Sequence, residues 1–291
     1  MHNEEGNVRP LYLAIKETMD RFGRPYEIIF VNDASSDGTL GVCQEIRRLD
    51  PDFHYCDLAE NAGENWARLA GVSKARGDVI VTIDGDFQNE PAFIPHLLRK
   101  IEAGYSVASG WRKNRKGGFW DRVLPSVAAN FLISKVSGVP VHDCGCGLKA
   151  YRREVLENKF VPSGFMNRFS PVVFGIRPRE FCEVEVSDRL RSYGKSHYGL
   201  KRIFIVFNDL LALPFILRGP KRMMGRTRLG KWGSAVLAVA MIIASYLYFW
   251  WWGLGALLTF LAFLAFLSIE RNLARFIEAE ERPCFKIREF V

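Results

Sequence analysis

Ile80-Val-Thr-Ile-Asp-Gly-Asp-Phe-Gln88 places a run of strand-forming residues directly before two carboxylates one residue apart. Alternate side chains of an extended segment share a face, so Asp84 and Asp86 are expected to look toward one cation, with Gln88 next on that face. Hard oxygen ligands of this kind suit Mg²⁺ or Mn²⁺, ions that mostly bridge phosphates in enzyme sites. Asp-Gly after a strand is also an ordinary solvated turn. The short motif leaves both readings open, and its neighbours decide between them.

Outward from this stretch, apolar strand-like runs alternate with helical patterns, the signature of an α/β domain. Tyr26 to Val31 reads as a strand, Leu40 to Leu49 as a helix, His54 to Leu58 as a weaker strand and Asn65 to Arg76 as a helix. Asp78 to Ile83 is the next strand. A helix follows from Pro91 toward Ala103, and Ser106 to Ser109 is a short strand leading into basic residues. Ligands of such sheets bind beyond the carboxyl ends of the strands. Asn32-Asp-Ala-Ser-Ser-Asp-Gly-Thr39 and Asp84-Gly-Asp86 therefore fall on one edge. There Asp33 can accept hydrogen bonds from a base or ribose, and the Ser35 to Thr39 turn can start the next helix. A capped turn without a ligand is the competing reading.

The run Gly233 to Ile269 carries no charge and is far longer than a soluble core helix. One membrane helix needs about 20 apolar residues, so the run is expected to form a hairpin of two short spans turning near Trp250 to Gly255, with tryptophans at the interface. Arg218, Lys221, Arg222, Arg226, Arg228 and Lys231 precede it, and Arg271 and Arg275 follow. The positive-inside rule then puts both ends in the cytoplasm. One long tilted span, or a buried soluble hairpin, is the alternative. Leu200 to Leu217 is amphipathic and is expected to lie in the interface just before the membrane, or else to be an ordinary core helix.

Composition fits this division. With 291 residues and 48% hydrophobic content, the chain can hold one domain of roughly 200 residues beside the membrane element. Much of the net charge of +8 lies from Lys195 to Lys231, which points to anionic headgroups or phosphate ligands; no nucleic-acid motif accompanies it. The six cysteines contain no C-x-x-C pair, as in reduced, cytosol-facing proteins. His142, Cys144 and Cys146 have poor spacing for structural zinc. No signal peptide, internal repeat or low-complexity segment is evident.

In order, VNDASSDGT, NAGENWARLAG, GDVIVTIDGDFQNEP, SGWRKNR, HDCGCGLKAYRREV and SYGKSHYGLKR resemble the motifs of the polyprenyl-phosphate glycosyltransferases, the dolichyl-phosphate mannose synthase-like members of the GT-A family 2 glycosyltransferases. Arg282 to Glu289 is similar to the family's terminal strand. The resemblance implies a GT-A nucleotide-sugar domain, a Rossmann-like mixed sheet, over 1–199. A juxtamembrane segment at 200–231, a hairpin at 232–270 and a cytoplasmic helix and strand at 271–291 complete the expected organisation. The implied enzyme sits in a bacterial-type inner membrane with its catalytic domain and both termini cytoplasmic. It moves a sugar, with inversion, from a UDP- or GDP-sugar to undecaprenyl or dolichyl phosphate; a homo-oligomer is left open.

By the same resemblance, Asn32, Asp33, Asp37, Asp84 and Arg115 are the donor-binding residues, and Asp84, Asp86 and Gln88 hold the cation. Asp86, Asp143 and Arg112 form the catalytic set. Arg122, Lys149, Arg168, Arg191, Lys195, Ser196 and His197 grip the acceptor phosphate. A phosphate acceptor is already anionic, so placement and charge shielding should dominate over acid-base chemistry. The chain departs from the family in three places. Met1-His-Asn-Glu-Glu5 begins inside the first motif, so the first, central strand is expected to be missing. Asn167 stands where many relatives have histidine, and Gly85 where alanine is frequent. Two other readings stay open: a non-catalytic relative partnering another transferase, and a polysaccharide synthase, which would require a Q-x-x-R-W motif and more spans.

Overall fold

The computed structural model describes residues 1–113, 124–156, 175–187, 209, 211–247, 251–281 and 285–291. The chain divides into one unit of Met1–His197 with Arg282–Val291, and a second of Tyr198–Glu281.

In the first unit the order is α1 (Glu5–Phe22), β1 (Ile28–Asn32), α2 (Thr39–Leu49), β2 (Phe53–Leu58), α3 (Glu64–Lys74), β3 (Val79–Thr82), α4 (Ile94–Glu102), β4 (Val107–Trp111), α5 (Leu124–Ser137), β5 (Lys149–Arg152), α6 (Arg153–Leu156) and β6 (Phe181–Glu185). Helix α1 was not among the expected elements, although Val8, Leu11, Tyr12, Ile15 and Met19 give it a buried stripe at helical spacing. It stops at Gly23, whose φ of 71° is the left-handed cap that glycine takes without strain. Alternation along the strands sorts side chains to two faces. Ile28, Phe30, Phe53 and Tyr55 pack with α1, α2 and α4, while Cys56 and Leu58 pack with Ala67 and Ala70 of α3.

The strands form two sheets. One has the order β1-β2-β7, where β7 (Ile287–Phe290) pairs antiparallel with β2, and the other has the order β3-β5-β4-β6. The terminal strand is thus present. Between β1 and the turn after β3 lies Met1. Its amino group donates to the Val31 carbonyl at 2.7 Å, and the Asp33 N–H donates to the Met1 carbonyl at 2.8 Å, the pattern of a parallel neighbour one residue long. A Cβ at Gly85 would meet the Met1 side chain at 2.6 Å. Among the described residues, Met1 is the single residue that pairs with β1 on this side.

The second unit holds two long helices, α7 (Pro220–Leu247) and α8 (Trp251–Glu281). They run antiparallel: Arg228 and Lys231 pair with Glu270, and Met241 lies against Gly255. Trp251 to Gly255, expected near a turn, are helical. Helix α7 continues unbroken from the basic segment into the apolar one. Among the described residues, one segment, Gly255–Glu278, is long and apolar enough to cross a membrane.

Candidate active site

Strand directions gather the chemistry at one edge. Strand β4 is parallel to β6, and β5 is antiparallel to both β3 and β4. Strands β3, β4 and β6 therefore end where β5 begins, with Thr82 and Ser109 both opposite Lys149. The Asp84 turn, Arg112 and the loop from His142 to Leu148 share that edge.

Asp33, at the end of β1, is joined to it through α3. The residue is 3% exposed, and its carboxylate accepts the Ala62 N–H at 2.7 Å and the Gly63 N–H at 2.9 Å. A negative charge at a helix N-terminus is favourable, and Gly63 supplies the left-handed φ of 87° that the entry to α3 requires. One turn into α3, Arg68 Nη2 donates to Asp84 Oδ1 at 3.1 Å and to Glu64 Oε1 at 3.0 Å. Asp37 Oδ1 accepts the Thr39 N–H at 3.0 Å, and Oδ2 accepts the Glu5 N–H at 3.2 Å, which ties the starts of α2 and α1. Burial pulls the Asp37 carboxyl up, but the Thr39 hydroxyl, which also donates to Oδ1, and these backbone donors outweigh it and hold it below the usual range.

The candidate cation ligands lie on a turn, which corrects the extended arrangement expected for Asp84, Asp86 and Gln88. Strand β3 stops at Thr82, and Phe87 takes a φ of 58°, a left-handed conformation costly for a bulky residue and concentrated at functional sites. Asp86 Oδ1 accepts the Gln88 N–H at 3.1 Å, so the turn is closed by its own carboxylate. Asp84 faces Gly147, whose missing Cβ leaves the space the carboxylate fills. Among the described residues no group of three His, Cys, Asp or Glu is arranged to hold a metal. The donor set fits a hard cation that takes one or two carboxylates and completes its shell with phosphate and water oxygens. Arg68 on Asp84 shows negative charge at this point already drawing a cation.

The loop before β5 is held by buried charge. Arg112 Nε and Nη2 donate to the two oxygens of Asp143 at 2.7 and 3.0 Å, and both side chains are 8% exposed. Burial alone would raise the Asp143 carboxyl; the hydrogen bonds and charge of Arg112 outweigh it and hold the group below the ordinary carboxylate range. Asp143 is therefore a fixed negative charge in a fork-to-fork pair and a poor proton acceptor. Lys149, expected at the acceptor phosphate, is buried, and its Nζ donates to the carbonyls of Cys144 and Cys146. It supports the loop from beneath. Burial raises the Cys146 thiol to about 11, leaving it unreactive. Asn32, expected at the donor, is also buried, and its amide donates to Asp57 Oδ1 at 2.7 Å. Asp57 in turn pairs with Arg288 of β7 at 3.1 Å.

Arg115, Arg122, Arg168, Arg191, Lys195, Ser196 and His197 lie outside the described residues. Two residues at the site were not singled out from sequence. Arg68 was signalled by its i,i+4 spacing from Glu64 on a helix. Glu183, which accepts the backbone N–H groups of His142 and Asp143, was signalled by a carboxylate inside an apolar strand pattern.

The model for glycosyl transferase family 2 matches residues 1–160. The chain belongs to this family. Within it, the chain is 38% identical to the dodecaprenyl-phosphate galacturonate synthase of Rhizobium johnstonii over 85% of its own length and 73% of that protein's. It is 32% identical to the undecaprenyl-phosphate 4-deoxy-4-formamido-L-arabinose transferase of Pseudomonas paraeruginosa, over 72% of this chain and 62% of that one. These relatives are polyprenyl-phosphate glycosyltransferases by name, and the chain is a glycosyltransferase of that group. Among solved structures, glucosyl-3-phosphoglycerate synthase from Mycobacterium tuberculosis, with Mn²⁺, UDP and its glucosylated product, superposes with a TM-score of 0.55. The superposition covers 74% of this chain and 76% of that one at 21% identity, and establishes the shared GT-A fold.

Proposed function

We propose that this family 2 member is a membrane-anchored inverting glycosyltransferase that moves a sugar from a UDP- or GDP-linked donor to polyprenyl phosphate, with Mg²⁺ or Mn²⁺ as cofactor. The observation that carries the reading is the gathering of Asp33, the Asp84–Asp86 turn and the Arg112–Asp143 pair around one network of sheet ends and α3. The relatives' names supply the acceptor class.

Asp33 and the start of α3 offer a rigid wall for the nucleoside. Asp84 and Asp86 would hold the divalent cation, which when bound neutralises the departing diphosphate. Asp143, kept ionised by Arg112, places fixed negative charge where positive charge grows on the sugar ring. The acceptor phosphate brings its own anionic oxygen, so the site needs orientation more than a strong base. Helix α8 supplies the anchor, with α7 as the second arm of a hairpin, and the catalytic unit faces the cytoplasm.

The test is transfer of labelled sugar from a panel of UDP- and GDP-sugars to undecaprenyl or dolichyl phosphate by detergent-solubilised protein, with Mn²⁺, Mg²⁺ or EDTA. One donor should label the lipid in a metal-dependent way, and Asp86→Ala should abolish that labelling. Full activity in the variant would sink the metal assignment; no labelling from any donor would sink the reaction.

A further inference from the structure

We propose that Glu183 is a positioning residue for the transfer site, gripping the His142–Gly147 loop by its backbone so that Asp143 and Arg112 stand in register with Asp84. The proposal rests on the glycosyltransferase reading above and adds to it a residue on a strand that carries none of the expected ligands.

Glu183 belongs to β6, and only 7% of its side chain is exposed. A carboxylate so placed needs donors to offset its lost hydration. It has three: the N–H groups of His142 and Asp143, each at 3.0 Å, and Nδ1 of the His142 ring at 2.7 Å. An ionised carboxylate only accepts, so Nδ1 carries a proton, which fixes the orientation of the ring. The ring then stacks on Trp111 at 4.5 Å between centroids, with planes 22° apart. Two successive amides aimed at one carboxylate form a backbone anion nest, and Glu183 fills it from within the protein.

That grip turns the loop's polar groups in opposite directions. Its first two amides point to Glu183, its carbonyls at Cys144 and Cys146 point to Lys149, and the Asp143 side chain meets Arg112. Removing Glu183 would take the acceptor away from two successive amides and from the His142 ring. Register explains the leverage: Glu183 lies opposite Ser109 of β4, three residues before Arg112, so neighbouring strands clamp the loop from both sides. In sequence, β6 also leads into the segment containing Arg191, Lys195, Ser196 and His197.

The experiment compares Glu183→Ala, Glu183→Gln and Glu183→Asp in the full-length, detergent-solubilised chain. Two readouts are taken: hydrogen exchange of the peptide spanning 139–148, and steady-state transfer. In the Ala variant the loop amides should exchange faster, while kcat falls roughly a hundredfold, the scale of a 1 Å misplacement; Gln, which keeps one acceptor oxygen but not the charge, should fall between Ala and native. Donor KM and thermal stabilisation by nucleotide with Mn²⁺ should stay within about twofold of native, because the Asp33 side is untouched. Glu183→Asp keeps the charge and should regain at least about tenfold in kcat over Glu183→Ala. Unchanged loop exchange, kcat within about threefold of native, or equal losses in kcat and nucleotide binding would each overturn the proposal. If native protein transfers from no donor, the reaction reading fails by itself, and the exchange data alone uphold or overturn the clamp.

Discussion

Gly147→Ala places one methyl group against Asp84. The added Cβ would lie 2.1 Å from Cγ and both oxygens of that carboxylate. Non-bonded carbon and oxygen need roughly 3 Å or more, so something must move by about 1 Å. The loop has little freedom to retreat, because the Gly147 carbonyl accepts the Thr82 hydroxyl at 3.0 Å and Lys149 holds the carbonyls just before it. Asp84 moves instead, by turning its side chain. Gly147 does not have a positive φ, so alanine itself fits the backbone. Stability should then fall by about the Arg68–Asp84 pair, whose side chains are 16% and 28% exposed, worth up to about 1 kcal/mol. Catalysis should suffer far more: a shift of that size costs about a hundredfold in rate, or about 2.7 kcal/mol of barrier. The assay is transfer of labelled sugar across a Mn²⁺ titration, beside a melting curve. Turnover and half-saturating Mn²⁺ both within about threefold of native would refute the placement of Asp84 against this loop.

Asp143→Asn removes the charge opposite the buried Arg112 guanidinium, and breaking such a pair costs about 3–5 kcal/mol. Because the folded carboxyl is held below its ordinary value near 3.9, its contribution is complete above about pH 4 and fades as pH falls through the depressed value. Melting curves of native and variant should therefore converge in acid; a constant gap from pH 7 to pH 3 would contradict the pairing. Lys149→Met should lower the melting temperature and kcat together while leaving acceptor KM nearly unchanged. A raised acceptor KM with an unaltered melt would return Lys149 to the acceptor phosphate.

The local layers of the fold were legible. The expected strand at Tyr26 to Val31 is found at Ile28–Asn32, and the expected helix at Asn65 to Arg76 at Glu64–Lys74, because alternation and helical spacing are local quantities. The candidate site was legible in its residue types more than in its geometry. Nothing in Thr82-Ile-Asp-Gly-Asp announces that the strand ends before the carboxylates, since that depends on how β5 pairs alongside. Lys149 reads as a surface charge until the loop's carbonyls fold back onto it. Arg112 and Asp143 are 31 residues apart, and Glu183 lies 40 beyond Asp143. No periodicity connects them; only the tertiary pairing of β4 with β6 does.

The return of the chain to β2 through β7 fixes a parity. Polypeptide that leaves a folded unit on one side of a bilayer and rejoins the same unit must cross an even number of times. Under the anchoring proposed above, with Gly255–Glu278 as one crossing, an odd total would be forbidden and α7 would be the companion crossing. Losing one crossing or two would then not be graded versions of the same injury. Removing a single span would strand β7 across the membrane from its sheet, whereas removing both would leave it free to pair.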